Sequence, residues 1–180
     1  NTLVTDRELS RARELILQLN QLGADALIVQ DLGMARMIRA LAPDMPIHAS
    51  TQMTVHNIGG VLQAHRLGFS RVVLSRELPL EEIAFICKNS PVEIEVFVHG
   101  ALCMCYSGQC YLSAAIGGRS GNRGLCAQPC RMAYSFPGES MEHPLSLKDL
   151  SLAEHLSQLE QAGVHTLKIE GRMKRPEYTA

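Results

Sequence analysis

Three stretches of this chain can be laid over one another: QLNQLGADALIVQD from Gln18, QAHRLGFSRVVLSRE from Gln63 and QLEQAGVHTLKIEGR from Gln158. Each carries the tail of an amphipathic helix, a glycine where that helix should stop, and a short apolar run that ends in polar residues. Such a repeat is an αβ building block, and few folds accept it in series. Read outward from the repeats, the pattern predicts a first helix over 6–22, with Leu9, Ala12, Ile16 and Leu19 or Leu22 on one stripe and Thr5 or Asp6 as its cap. Strands follow at 26–30, 46–49, 71–74, 92–98 and 166–170, and helices at 33–41, 55–67, 80–88 and 152–162. Residues 2–4 read as the end of a further strand.

Strands that are apolar nearly throughout and separated by helices indicate a parallel sheet covered on both faces. The fold class expected is α/β, a (β/α) TIM-type barrel with about six of its eight strands present, and residues 1–180 form part of that one domain. A chain that opens on Asn1 and half a strand is expected to be a piece of a longer protein. With 46% hydrophobic residues it has enough apolar material for a substantial core.

The alternation breaks once. Residues 101–145 form a Gly- and Cys-rich insertion after the strand that ends at His99, far longer than the 2–6 residues usual for such connections. Five of the six cysteines stand there, at Cys103, Cys105, Cys110, Cys126 and Cys130. Thiolates are soft, strongly donating ligands, and several in one loop point to zinc or an iron-sulfur cluster, with disulfides as competitor. The spacings are C-x6-C, C-x15-C and C-x3-C between Cys103, Cys110, Cys126 and Cys130. None is the C-x2-C knuckle of a zinc ribbon, whereas a cubane accepts thiolates at irregular spacing, so a cluster, zinc and free redox thiols all stay open. Met104 beside Cys105 favours an adjacent-strand or buried position over ligation, and Phe85 and Ile86 beside Cys87 favour a small buried hydrophobe there.

In α/β sheets chemistry gathers beyond the carboxyl ends of the strands. Those ends carry Gln30 and Asp31; Ser50, Thr51 and Gln52; Ser75, Arg76 and Glu77; His99; and Glu170 and Arg172. Helix capping explains Ser, Thr and Asp there, but not Gln, Arg, His and Glu. His99 and Glu170 are the candidate proton donors or acceptors. Gln52, Arg76, Arg123 and Arg172 are the substrate-binding candidates, and Arg119, Arg131, Lys174 and Arg175 add positive charge for phosphate or carboxylate. The bland readings are a structural histidine, a Glu170 paired with Arg172 or Lys168, and a solvated RMKR run.

The formal net charge of −1 provides no global field for nucleic acid, so RNA would be caught by a local patch. Trp is absent and Phe and Tyr number four each, which speaks against an aromatic platform for single strands. No apolar run reaches the roughly 18 residues of a membrane span and no secretory leader is visible, so a cytoplasmic, reducing location is expected, which weighs against disulfides.

EVFVHGALCMCYSGQCYLS, then GRSGNRGLCAQPCR, LSLKDL and LKIEGRMK, with STQM at 50–53, resemble the signature of the collagenase-like peptidase family U32, nearest to its branch that hydroxylates a cytidine of 23S ribosomal RNA. The resemblance implies oxygen-independent hydroxylation, of an RNA base or, in other members, of a quinone precursor, rather than proteolysis. It implies a 4Fe-4S cluster on Cys103, Cys110, Cys126 and Cys130, a link to prephenate, RNA as partner and an electron donor of unknown kind. Some relatives have a further cysteine after KDL; Ser151 stands there in this chain, so a ligand set using that position is excluded. Two rivals remain: a protease with Cys103 or Ser107 beside His99, although CYSGQC lacks the G-x-S-x-G elbow, and a metal-stapled barrel that only binds RNA or protein.

Overall fold

The computed structural model describes residues 1–171 and 174–178. The chain enters through a 3-10 turn, Asp6–Glu8, that runs into α1 (Leu9–Gln21). Thr5 is the cap: its backbone N and its Oγ1 both donate to Glu8 Oε2, at 2.8 and 2.7 Å. Then come β1 (Leu27–Val29), α2 (Leu32–Leu41), β2 (Ile47–Ala49), α3 (Ile58–Arg66), β3 (Arg71–Val73), α4 (Leu80–Asn89) and β4 (Glu93–Gly100). The insertion contributes α5 (Leu112–Gly117) and a hairpin of β5 (Tyr134–Phe136) and β6 (Glu139–Met141), and the two-residue β7 (Leu150–Ser151) follows it. The chain closes with α6 (Leu156–Gln161) and β8 (Thr166–Ile169).

The three repeated glycines end their helices in one way. Gly23, Gly68 and Gly163 have φ of 73°, 86° and 88°, and the next residue reaches back five positions: Ala24 N to Leu19 O, Phe69 N to Ala64 O and Val164 N to Leu159 O, each 3.1 Å. That is the Schellman stop, which needs a residue without Cβ.

Five strands run parallel in the order β1-β2-β3-β4-β8, with Leu27 opposite Ile47, Arg71 opposite Glu93 and Glu95 opposite Thr166. β4 is the pivot. It pairs with β3 along its first half and with β8 on its other edge, and the antiparallel β7 takes up the β3-side edge at His99 and Gly100, beyond the end of β3. Ile16, Ile38, Val61, Ile86 and Leu159, one each from α1, α2, α3, α4 and α6, join Ile47, Val72, Ile94, Val96 and Val98 in a single apolar cluster.

Several expectations shift. The helices pack on one face of the sheet, not both: Ile94, Val96 and Val98 meet them, while the alternate residues Glu95, Phe97 and His99 point to the other side. The described sheet is open, with β1 and β8 at its edges, so a closed barrel is not formed by these residues. Among the described residues, 2–4 pair with no strand; Leu3 N donates to Asn122 O and Val4 N to Asp31 Oδ2, each 3.1 Å. α3 starts at Ile58 because Thr54 adopts a left-handed φ of 59° and Asn57 Oδ1 caps Gly60 N at 2.9 Å. The predicted helix 152–162 opens instead as a 3-10 turn, Ala153–His155. Leu22 is 81% exposed, so the α1 stripe ends at Leu19.

Candidate functional site

The insertion folds back over the carboxyl ends of β3 and β4, and single long-range hydrogen bonds fix it there. The principal anchor is Glu77, just past β3. Its Oε1 accepts from Ser107 N at 2.8 Å and from Ser107 Oγ at 2.9 Å, and its Oε2 lies 3.1 Å from His56 Nε2. Thr54 continues the clasp, donating from Oγ1 to Ser107 O at 2.7 Å and accepting from Gln109 Nε2 at 2.8 Å. Gly108 has φ 79°, and a Cβ there would stand 2.3 Å from Gln52 O, so only glycine lets the loop lie this close. Glu77 was visible as one of the polar strand ends, but nothing local in the sequence links it to Ser107, 30 residues on.

Ser107 is thereby spent. It is 2% exposed, its hydroxyl is committed to a carboxylate, and it accepts from Arg76 N at 3.3 Å. A nucleophile needs a base on its hydroxyl and a path to substrate; Ser107 has a carboxylate on its hydroxyl, but its burial closes the path.

The second half of the loop is bolted to the first by Arg131, beside Cys130. Its guanidinium donates to Leu102 O at 3.0 Å, Ser146 Oγ at 2.9 Å and the Leu147 carbonyl, and pairs with Asp149 at 3.2 Å. Leu102 precedes Cys103, so the tie draws the Cys130 segment toward Cys103. Gly121 does the same for the other pair: a Cβ there would lie 3.8 Å from Cys126 Cβ and 4.0 Å from Cys110 O. Ser113, buried in α5, accepts from Ala127 N at 2.9 Å and holds the turn after Cys126.

All six cysteines are free thiols. The Cys103 residue is exposed, yet protein packed around its sulfur pushes the thiol up; the Arg76 guanidinium opposes that rise, and Cys130 and Cys126 add to it. Cys105 is half-buried. Cys87 is half-buried in α4 against the core, where burial raises its thiol pKa, in keeping with a packing role.

Among the described residues no three His, Cys, Asp or Glu side chains are gathered as a metal-ion site. A single zinc would need its sulfurs about 3.8 Å apart, from Zn–S bonds of about 2.3 Å in a tetrahedron. A cubane presents four separate irons and takes one thiolate on each, so it is met by sulfurs spread more widely. By donor chemistry, four free thiols carried on one insertion suit the latter, with the Arg76 guanidinium on Cys103.

Arg76, Cys103, Glu170 and Phe97 come together at the top of β3 and β4. Arg76 Nη1 donates to Cys103 Sγ at 3.2 Å, Nη2 lies 3.8 Å from Glu170 Oε2, and Cζ sits 4.1 Å above the Phe97 ring. His99 is adjacent, its carbonyl accepting from Glu170 N at 2.9 Å and its ring 5.5 Å from that of Tyr178. Gln52 is turned to the loop, with Nε2 at 3.5 Å from Gly121 O. Arg123 is paired with Glu8, Nη2 to Oε1 at 2.5 Å, and with Leu3 O at 2.6 Å; this bond holds the Glu8 carboxyl well below the usual carboxylate range. Arg172 lies outside the described residues.

Below this group runs a charged layer that the sequence did not announce. Lys168 donates to Glu95 Oε1 at 2.7 Å and Arg71 to Glu93 Oε2 at 2.8 Å, with Arg71 3.5 Å from the second Glu95 oxygen. Lys168 thus pairs with Glu95, and Glu170 meets Arg76.

No helix among the described residues is long and apolar enough to cross a membrane. The model of peptidase family U32 matches residues 1–180. The chain is 43% identical to the 23S rRNA 5-hydroxycytidine C2501 synthase of Escherichia coli, over 99% of this chain and 28% of that protein. It is 37% identical to tRNA hydroxylation protein P of the same organism, over 89% of this chain and 47% of that one, and 34% identical to a collagenase of Porphyromonas gingivalis, over 99% and 47%. It thus spans half the length of these relatives or less. The solved structure of a U32 peptidase matches with a TM-score of 0.56 at 16% identity, over 92% of this chain and 62% of that one, which is a likeness of fold. By family model and by relatives alike, the chain belongs to peptidase family U32.

Proposed function

We propose that this chain is the cysteine-bearing part of a cytoplasmic protein that hydroxylates an RNA base, with a cytidine of ribosomal RNA as the substrate class, after the relative at 43% identity. The open five-stranded sheet is read as an arc of a (β/α) barrel completed in the longer protein. The observation that carries the chemistry is the Arg76 hydrogen bond to Cys103 Sγ at the strand ends, with Arg131 tying the Cys130 segment to Leu102 and Gly121 packed close to Cys126 Cβ and the Cys110 carbonyl. These four cysteines would hold a 4Fe-4S cluster. When bound and saturated by four thiolates it would supply one-electron transfer, which suits an oxygen-independent reaction linked to prephenate as co-substrate and fed by an external electron donor.

The chain's own residues do the rest. His99 and Glu170, side by side at the strand ends, hold or move a proton at an imidazole nitrogen and a carboxylate oxygen. Arg119, Lys174 and Arg175 are exposed and take RNA phosphates as charge contacts, while Gln52 and Arg123 hold the loop. The Glu77 clasp keeps the cysteine loop over the strand ends.

The test is metal content after anaerobic purification, together with mass spectrometry of RNA from cells that carry wild-type or Cys126→Ser protein. About four irons and four sulfides per chain, with loss of both cluster and hydroxylated nucleoside in Cys126→Ser, is the expected result. Stoichiometric zinc without iron, or a Cys126→Ser protein with full iron and full product, would overturn the reading.

A further inference from the structure

Arg76 stands where the polar face of the sheet meets the cysteine loop, and three different elements hold its head group. Cys103 of the insertion takes Nη1 at 3.2 Å, Glu170 after β8 faces Nη2 at 3.8 Å, and Phe97 of β4 stacks beneath Cζ at 4.1 Å. Only 12% of the side chain is exposed. A guanidinium is always charged, and its planar fork serves a sulfur and a carboxylate at once while lying flat on a ring. The result is a positive charge that cannot swing away, in hydrogen-bond contact with the sulfur of one of the four candidate ligands.

We propose that Arg76 tunes the reduction potential of the group held through Cys103, by giving that sulfur an N–H···S hydrogen bond and a fixed positive charge. This rests on the cluster reading above. The couple is a one-electron exchange: the cluster gains one electron from an external one-electron reductant and later returns it, with no bond made or broken. The reduced cluster carries one more negative charge, and a donor and a cation at its ligand stabilise it over the oxidised form, so Arg76 raises the potential. Glu170 works against this by neutralising part of the guanidinium field. The two residues therefore act with opposite sign, which a purely structural role at either would not produce.

The experiment is an anaerobic redox titration of the full chain reconstituted with iron and sulfide, using dithionite as reductant and reading visible bleaching and the spin signal of the reduced state. The expected midpoint order is Arg76→Gln below Arg76→Lys, Arg76→Lys below wild type, and wild type below Glu170→Gln, at equal iron and sulfide per chain. Equal midpoints in all four at full iron would overturn the assignment of Arg76 while leaving the cluster intact. A wild-type chain that takes up no iron and sulfide would overturn the cluster reading and this proposal together. If Arg76→Gln fails to load iron, Arg76→Lys and Glu170→Gln decide: shifts in opposite directions support the proposal, and two unmoved midpoints overturn it.

Discussion

The two faces of β4 are made of the same eight residues and have little else in common. Ile94, Val96 and Val98 are 0%, 5% and 7% exposed and belong to the apolar cluster under the helices. Glu95, Phe97 and His99, one position out of step, line the other side, where they meet Lys168, Arg71, Arg76 and Tyr178. One side holds the fold by area removed from water; the other is a column of charge and rings that leads up to the cysteine loop. Because strand side chains alternate, the column can change its chemistry without disturbing the core.

The sharpest way to break the comparison is to damage each face equally and ask what fails. Ile94→Ala removes most of a fully buried side chain and leaves a cavity, so it is expected to cost about 3–4 kcal/mol in denaturant unfolding, with no remedy from the other face. Glu95→Gln strips the partner from Lys168, while Arg71 keeps Glu93, and is expected to cost roughly 2–3 kcal/mol, below the range for a fully buried pair because both cations keep about a quarter of their surface in water. Combining it with Lys168→Met should recover part of that loss, since the stranded charge goes too. A double variant no more stable than Glu95→Gln would show that the charged layer does not behave as a unit.

A smaller effect is expected at the loop. Glu77→Ala leaves Ser107 N and Oγ without their acceptor in a site 2% exposed, a cost of about 1–2 kcal/mol. Its signature is local: hydrogen exchange of residues 101–110 should quicken while the helices and β1–β3 stay protected. Equal quickening throughout would mean that the clasp supports the whole sheet and not the loop alone.

Legibility followed the same division. The helical face could be read because each repeat carries its own stop: Gly23, Gly68 and Gly163 lie where the periodicity ends, and all three take the left-handed turn. The polar face was half visible, as strand ends too rich in Gln, Arg and Glu for capping. Its pairings were not, since Lys168 chose Glu95, 73 residues back, over the nearer Glu170. The insertion is the least legible part, because no period runs through it; its shape comes from Glu77–Ser107, Arg131–Leu102 and the close pass of Gly108 over Gln52, each a single contact across sequence. For the same reason the 2–4 segment looked like a strand: three apolar or β-branched residues suffice for the pattern, but Asp31 and Asn122 take their hydrogen bonds.

The subtlest contrast between the faces is in pH. His48 of β2 lies opposite Arg71 at the foot of the charged column, and desolvation, then Arg71, hold its imidazole below the ordinary value of 6.5. The carboxylates of Glu95 and Glu93 pull the other way and Lys168 adds to the lowering, so the net direction is set by burial. The folded ring resists a proton that the unfolded ring accepts. Stability from this source is therefore complete above pH 6.5 and falls as pH drops below it toward the lower folded value, where the loss levels off. Unfolding midpoints measured between pH 7.5 and 5 should show that decline in the wild type, and His48→Phe should flatten it, whereas Ile94→Ala should lower the whole curve without changing its slope. A His48→Phe curve that keeps the wild-type slope would assign the decline to another group and leave the two faces alike in their response to protons.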